Sequence, residues 1–373
     1  MNNKPFYQKN RKQIVFFIFL SIVIGLLANI IISFISEKNI IFAALRKINF
    51  LMFAIPFLLY CLNYVINTFR LKLVFHQFKQ KISFRDGMIN SILGTFFNYL
   101  SPMAAGGQPF QVYHLQTLGF DSKIATNAIF SRFVENAIVT IMIIFLCIPR
   151  IINMLKSLSA GAVLVVAGLS VTVIMAVIFF IILINPEIIG KMIHRFSNLR
   201  LARRLKRFPH RKHREGERPS ERFLKWCYSL KEEIRILWSE KFYIVLLDTV
   251  FGMITVFIQS FSLFYIFYKV MGLAINPFEM YITYVILWQV IFYVPTPGAS
   301  GTIEAGFGLV FSELTGASYL TSLVIVIWRF ATYYAHIGLG AIIFFCIISP
   351  GGKRKKELNS SSRETNVGPI ANS

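Results

Sequence analysis

The sequence predicts an all-α polytopic integral membrane protein, with six full spans plus two broken re-entrant hairpins arranged as an inverted repeat. Three observations carry that prediction. The 373-residue chain is 55% hydrophobic and 15% charged, far from the roughly 25% charged residues of an ordinary soluble domain. Its charges avoid runs such as 14–35 and 158–184, and about 20 apolar residues suffice to cross a hydrocarbon core of about 30 Å. Two further apolar stretches each break midway at a cluster of Gly and Pro.

Taken in order, Lys4, Lys9, Arg11 and Lys12 precede a first apolar run, 14–35, whose 22 residues exceed a secretory h-region of about 7–15. It is read as a retained span. Further full spans are expected at 48–69, 124–148, 158–184, 242–268 and 318–348. Stretches 88–118 and 280–315, of 31 and 36 residues, are too short for two crossings each. The first breaks at SPMAAGGQP (Ser101–Pro109) and the second at PTPGASG (Pro295–Gly301), where Pro removes donors and Gly permits non-helical dihedrals. The chain thus divides into an N-terminal membrane half (1–184), a basic cytoplasmic loop (185–241), a C-terminal membrane half (242–348) and a polar tail (349–373).

Orientation follows from Lys and Arg. With the N-terminus cytoplasmic, inside segments hold 31 basic residues and outside loops 6, so both termini are expected in the cytoplasm of a plasma-membrane protein. In that topology the two hairpins enter from opposite sides. Pro102 precedes Arg132 by 30 residues and Pro297 precedes Arg329 by 32. Broken helices at matching places in two halves point to a transporter site near the bilayer midplane.

Net charge of +22 does not imply nucleic acid, because the basic residues flank spans and the 38 Phe lie in apolar segments rather than along a basic groove. The dense basic run in 185–241, with 16 Lys+Arg and 7 acids, is expected to set topology and lie against an anionic membrane surface. Four cysteines show no metal or redox spacing, and no metal or cofactor is implied. No nucleophile elbow, zinc-protease motif or phosphate loop is present. An ATP-driven pump is disfavoured, leaving downhill or ion-coupled movement.

Ionisable groups within spans are costly and therefore informative. Arg132 and Glu135 share a helix face, either as a structural pair or with Arg132 on a lipid phosphate. Glu304 opens the half-helix after the second break. It is expected to pair with Arg329, to offset the helix dipole, or to receive a cationic head group. Arg329 and His336, seven apart, are expected on one face, His336 most simply as an interior histidine. Asp248, near the inner end of its span, is expected to snorkel to interfacial water. The breaks at Gly106, Gly107 and Gln108 and at Pro297, Gly298 and Gly301 present helix N-termini as cradles for a phosphate.

The strings GGQPFQVYHLQTLGFDSKIATNAIFSRFVENAI and PTPGASGTIEAGFGLVFSELTGASYLTSLVIVIWRFATYYAHIGLG resemble the flippase-like domain family, also called the lysylphosphatidylglycerol synthetase transmembrane region. The resemblance spans nearly the whole chain. Its most specific piece is Pro295, Pro297, Gly298, Gly301 and Glu304 with Arg329 downstream. Where relatives often carry Gly-Gly this chain has Gly298-Ala299, and Gln108 and Gln111 stand where relatives often carry an acid. The resemblance implies movement of a phospholipid between leaflets, in fused members an aminoacylated phosphatidylglycerol. Only 25 residues follow Ile348, so the soluble synthase domain of fused members is not expected here.

Three functional classes remain open: a lipid translocator that is not itself an enzyme, a membrane-embedded enzyme or subunit acting on polyprenyl-phosphate or lipid head groups, and a scaffold. Oligomeric state, including a homo-oligomer, is left open.

Overall fold

Among the described residues, helices form where the apolar runs lie. The computed structural model of the chain describes residues 49–184, 228, 242–272, 276–291, 296 and 298–348. The expected first span, the basic loop apart from residue 228, Pro297, the side chain of Glu135 and the polar tail lie outside the described residues. Among those described, the first half comprises α1 (Leu51–Gln77), α2 (Phe84–Leu100), α3 (Gly107–Thr117), α4 (Ser122–Leu146), α5 (Ile148–Ser157) and α6 (Ala160–Ile184). The second comprises α7 (Phe242–Met271), α8 (Pro277–Ile291), α9 (Thr302–Thr315), α10 (Ser318–Arg329), a π-helical turn (Phe330–Tyr334) and α11 (Ala335–Ile348).

Local chemistry fixes several starts. Ser83 accepts the Asp86 N–H at 3.0 Å before α2, and Asp121 accepts the Lys123 N–H at 2.8 Å before α4, each satisfying a donor that the first turn leaves free. The hairpin helices α2, α3, α8 and α9 have 17, 11, 15 and 14 residues. At 1.5 Å per residue they reach about 16–26 Å, short of a full crossing.

Among the described residues, three helical stretches, Leu51–Gln77, Tyr243–Val270 and Leu320–Cys346, are long and apolar enough to cross a membrane, and a fourth is added if the pair Val139–Leu146 and Ile148–Ser157 counts as one bent span. That pair bends by 66° at Cys147. The hydropathy pattern predicts a span over 124–148 with a loop after it. Instead the chain turns into α5, whose first turn contains Pro149, a residue tolerated there because the first-turn N–H has no intrahelical partner. A second difference is the length of α1, which runs eight residues past the expected end at 69 and takes Arg70 out of the predicted loop.

Both halves pack by one scheme. In the first, α1 meets α2, α2 meets α3, α3 meets α4 and α4 returns to α1; in the second, α7, α8, α9 and α10 close the same ring. The halves join where α1 lies along α7, where α6 packs on α8 and where α2 meets α11. A large apolar core in the second half, including Phe267, Tyr284, Phe307, Phe311 and Trp328, adjoins α1 through Tyr60. A smaller one, Leu93, Phe96 and Leu100 with Tyr333, Ile337 and Phe344, ties the first hairpin to the second half.

Candidate functional site

At the second break, Arg329 closes α10 and Glu304 sits in the first turn of α9. Arg329 Nε donates to Glu304 Oε1 at 2.9 Å, and Arg329 Nη2 donates to the Gly298 carbonyl and Ser300 Oγ at 3.2 Å each. The guanidinium carbon lies 3.8 Å from the Tyr333 ring centroid. Both charged residues are 2% exposed. Burying two charges costs several kcal/mol each, and attraction offsets this only where further hydrogen bonds fill the remaining valences. Here they do.

The other carboxylate oxygen, Glu304 Oε2, accepts the Gly301 N–H at 2.7 Å, while the Ala299 carbonyl accepts the amides of Thr302 and Ile303. The expected phosphate cradle at Gly301 is therefore occupied by the chain's own acceptors. Gly301 has φ of +88° and open space where a Cβ would stand, so glycine serves the backbone conformation there rather than the approach of a ligand.

The first break is capped in the same way. Gly106 N–H donates to Ser101 Oγ at 2.7 Å and Gly107 N–H to Asn98 Oδ1 at 2.8 Å. A Cβ at Gly107 would overlap the Asn98 side chain and the Gly94 carbonyl; glycine is required because α2 and α3 touch at that point. The expected head-group contact at this N-terminus is thus replaced by contact between the two half-helices.

Beside this break lies a cavity of about 190 Å³. Its amide and cationic lining is Asn67 from α1, Asn98 from α2, Gln108 and Gln111 from α3 and Arg132 from α4, joined by the hydroxyls of Ser91 and Thr95. None of the described lining residues is acidic. Arg132 Nη2 donates to Asn67 Oδ1 at 2.8 Å. Arg132 is the eleventh residue of α4 and Arg329 the twelfth of α10, so the two arginines occupy matching places in the two rings of helices.

Other expected site residues separate from these. Asp248 does not snorkel. It is 1% exposed and accepts two hydrogen bonds from Arg70, Nε to Oδ1 at 2.7 Å and Nη2 to Oδ2 at 2.9 Å, across the α1–α7 contact. His336 Nδ1 meets the Tyr64 hydroxyl at 2.9 Å and its ring stacks on Phe57 at 4.8 Å, as an interior histidine does. Arg329 and His336 address different helices, hairpin two and α1. The intervening π turn inserts one residue into the helical phase, about 100° of rotation.

A family model described as the lysylphosphatidylglycerol synthase TM region matches residues 18–340. The chain belongs to that family. A UPF0104 membrane protein of Archaeoglobus fulgidus is 23% identical over 326 residues, covering 86% of this chain and 94% of that protein. No solved structure matches. For this member of the lysylphosphatidylglycerol synthase transmembrane-region family, sequence reasoning missed Arg70, Asn67, Ser300 and Tyr333. A usable signal existed for the first two: Asn63, Asn67 and Arg70 recur at four and three residues along apolar α1, a polar stripe on one helix face. Ser300 and Tyr333 carry no comparable pattern, because their role arises only when α9 and α10 meet.

Proposed function

We propose that this protein is a lipid translocator that moves a phospholipid between leaflets of the plasma membrane, with both termini cytoplasmic and the two halves inverted relative to one another. The observation that supports it best is the cavity at the first break. It places a cationic side chain, four amides and two hydroxyls within a body that has, among the described residues, three helical stretches long and apolar enough to span a bilayer. An intramembrane ionisable residue lining a polar cavity marks a pathway for a polar substrate. Membership of the lysylphosphatidylglycerol synthase transmembrane-region family supports a lipid as that substrate. The paired breaks, each followed by a helix carrying an arginine at a matching place, support the repeat.

Reconstitution tests the activity. Vesicles bearing the full chain and acyl-labelled phospholipid should lose outer and inner label to dithionite, while protein-free vesicles lose only the outer half. Equal protection of the inner leaflet in both would sink the proposal. Topology has its own test: cysteines introduced near Gly87 and near Glu313 on a cysteine-free background should label from opposite sides, and labelling from one side overturns the inversion.

A further inference from the structure

We infer that Asn63, midway along α1, is the station at which a phospholipid head group passes between the first-break cavity and the second hairpin. The inference rests on the translocator reading and gives it a route.

One polar stripe runs along the otherwise apolar α1. Tyr60, Asn63, Asn67 and Arg70 follow one another at three, four and three residues, which keeps them within about 80° of each other around the helix. The Tyr60 hydroxyl lies 3.5 Å from that of Tyr284 in α8, which donates to Gln259 Oε1 on α7 at 3.3 Å. Asn67 Oδ1 accepts from Arg132, and Arg70 meets Asp248 on α7. Lying along α1, α7 supplies Asp248, Thr255 and Gln259 at spacings of seven and four. A polar seam therefore follows the junction of the halves for about 15 Å, half the depth of a hydrocarbon core.

Asn63 is the member of the stripe that the fold leaves unsatisfied. It is 4% exposed, and among the described residues neither its Nδ2 nor its Oδ1 has a hydrogen-bond partner. A buried amide with both ends empty is costly, and leucine would fill the same branched shape without that cost. Asn67, one turn away at about 6 Å, lines the cavity. In the cavity wall Ser91, 5% exposed, also has a hydroxyl with no partner. On the other side, Tyr60 leads to Tyr284 of the second hairpin. Unsatisfied groups in the cavity and next along the seam mark successive places for one moving polar group. With a donor and an acceptor, the Asn63 amide suits a phosphate oxygen together with a head-group hydroxyl or amine. It gains these partners only when the seam parts, so it narrows the gap between the closed and open states.

The test sets Asn63→Leu beside the wild type, both as full chains in phosphatidylcholine vesicles with trace acyl-labelled phosphatidylglycerol and dithionite quenching. Lipid movement should slow about tenfold, the weight of two hydrogen bonds lost during passage. The melting temperature in detergent should meanwhile rise by a few degrees, because the empty amide is gone. Asn63→Ser, which keeps a donor and an acceptor, should retain most of the rate. In the wild type, phosphatidylglycerol carrying a photoactivatable diazirine on its head group should cross-link at the buried Asn63 as well as at the lipid-facing Leu58 and Leu62, and excess soluble glycerol 1-phosphate should leave that cross-link unchanged.

Asn63→Leu moving lipid at the wild-type rate, or cross-links confined to lipid-facing residues, overturns the station while leaving translocation standing. A cross-link at Asn63 without movement of lipid in the wild type overturns translocation while leaving the head-group site standing. Competition by glycerol 1-phosphate identifies a soluble anion as the ligand and overturns the lipid assignment. If Asn63→Leu melts lower or fails to fold, the wild-type cross-link decides alone.

Discussion

At the second break an arginine is held by a carboxylate, a carbonyl, a hydroxyl and an aromatic ring. At the first, the arginine at the matching place lines a cavity among neutral amides. The helices that present the two are laid out alike, and their breaks are capped by the same device, a side-chain oxygen on a glycine N–H. The second hairpin meets its arginine with the carboxylate of Glu304, whereas the described lining of the first cavity offers carboxamides and hydroxyls. The difference teaches that one scaffold can set an arginine either as a strut between half-helices or on the wall of a polar cavity.

The largest test of this contrast is Glu304→Gln. It leaves the Arg329 guanidinium buried without its counter-charge, which should cost about 3–5 kcal/mol and lower the melting temperature in detergent sharply. Adding Arg329→Gln should return much of the loss, because the two effects are coupled. An unchanged melting temperature in the single variant would show that Arg329 is not a strut. Should the double variant also recover lipid movement, Arg329 leaves the substrate path.

Arg132→Gln tests the other side of the contrast. Losing the bond to Asn67 should cost about 1–3 kcal/mol, and lipid movement should fall to the protein-free rate. A variant as unstable as Glu304→Gln would make Arg132 a second strut.

The smallest expected effect is on the stability of Gln108→Glu. A carboxylate facing Arg132 across a solvated cavity should change stability by about 0.2–1 kcal/mol in the favourable direction. A large loss would show that the two hairpins are not interchangeable in geometry, and would break the comparison at its root.

Much of this contrast is legible in the order of residues. Gly and Pro mark both breaks because few other residues interrupt an apolar helix, and Glu304 with Arg329 follows from the cost of leaving either charge alone at membrane depth. The hydropathy pattern does not show where α1 ends, since a helix continues past its apolar stretch while its backbone bonds remain satisfied; Arg70 falls in the predicted loop for that reason. Its pairing with Asp248 spans 178 residues, beyond any periodicity. The bend at Cys147 and the π turn at Phe330–Tyr334 leave the hydropathy of their segments unbroken and so have no signature in it. Asn67 as a partner of Arg132 depends on how α1 rotates against α4, which an apolar stripe leaves free.

The bond between Arg70 and Asp248 also carries a consequence for biosynthesis. At about 5–20 residues per second, the ribosome completes Asp248 roughly 10–35 s after Arg70. During that interval α1 holds a cation without its anion, near enough to its C-terminal end for the long side chain to reach the interface. The α1–α7 latch can therefore close only after α7 has been made, so this one contact between the halves belongs to a late stage of synthesis.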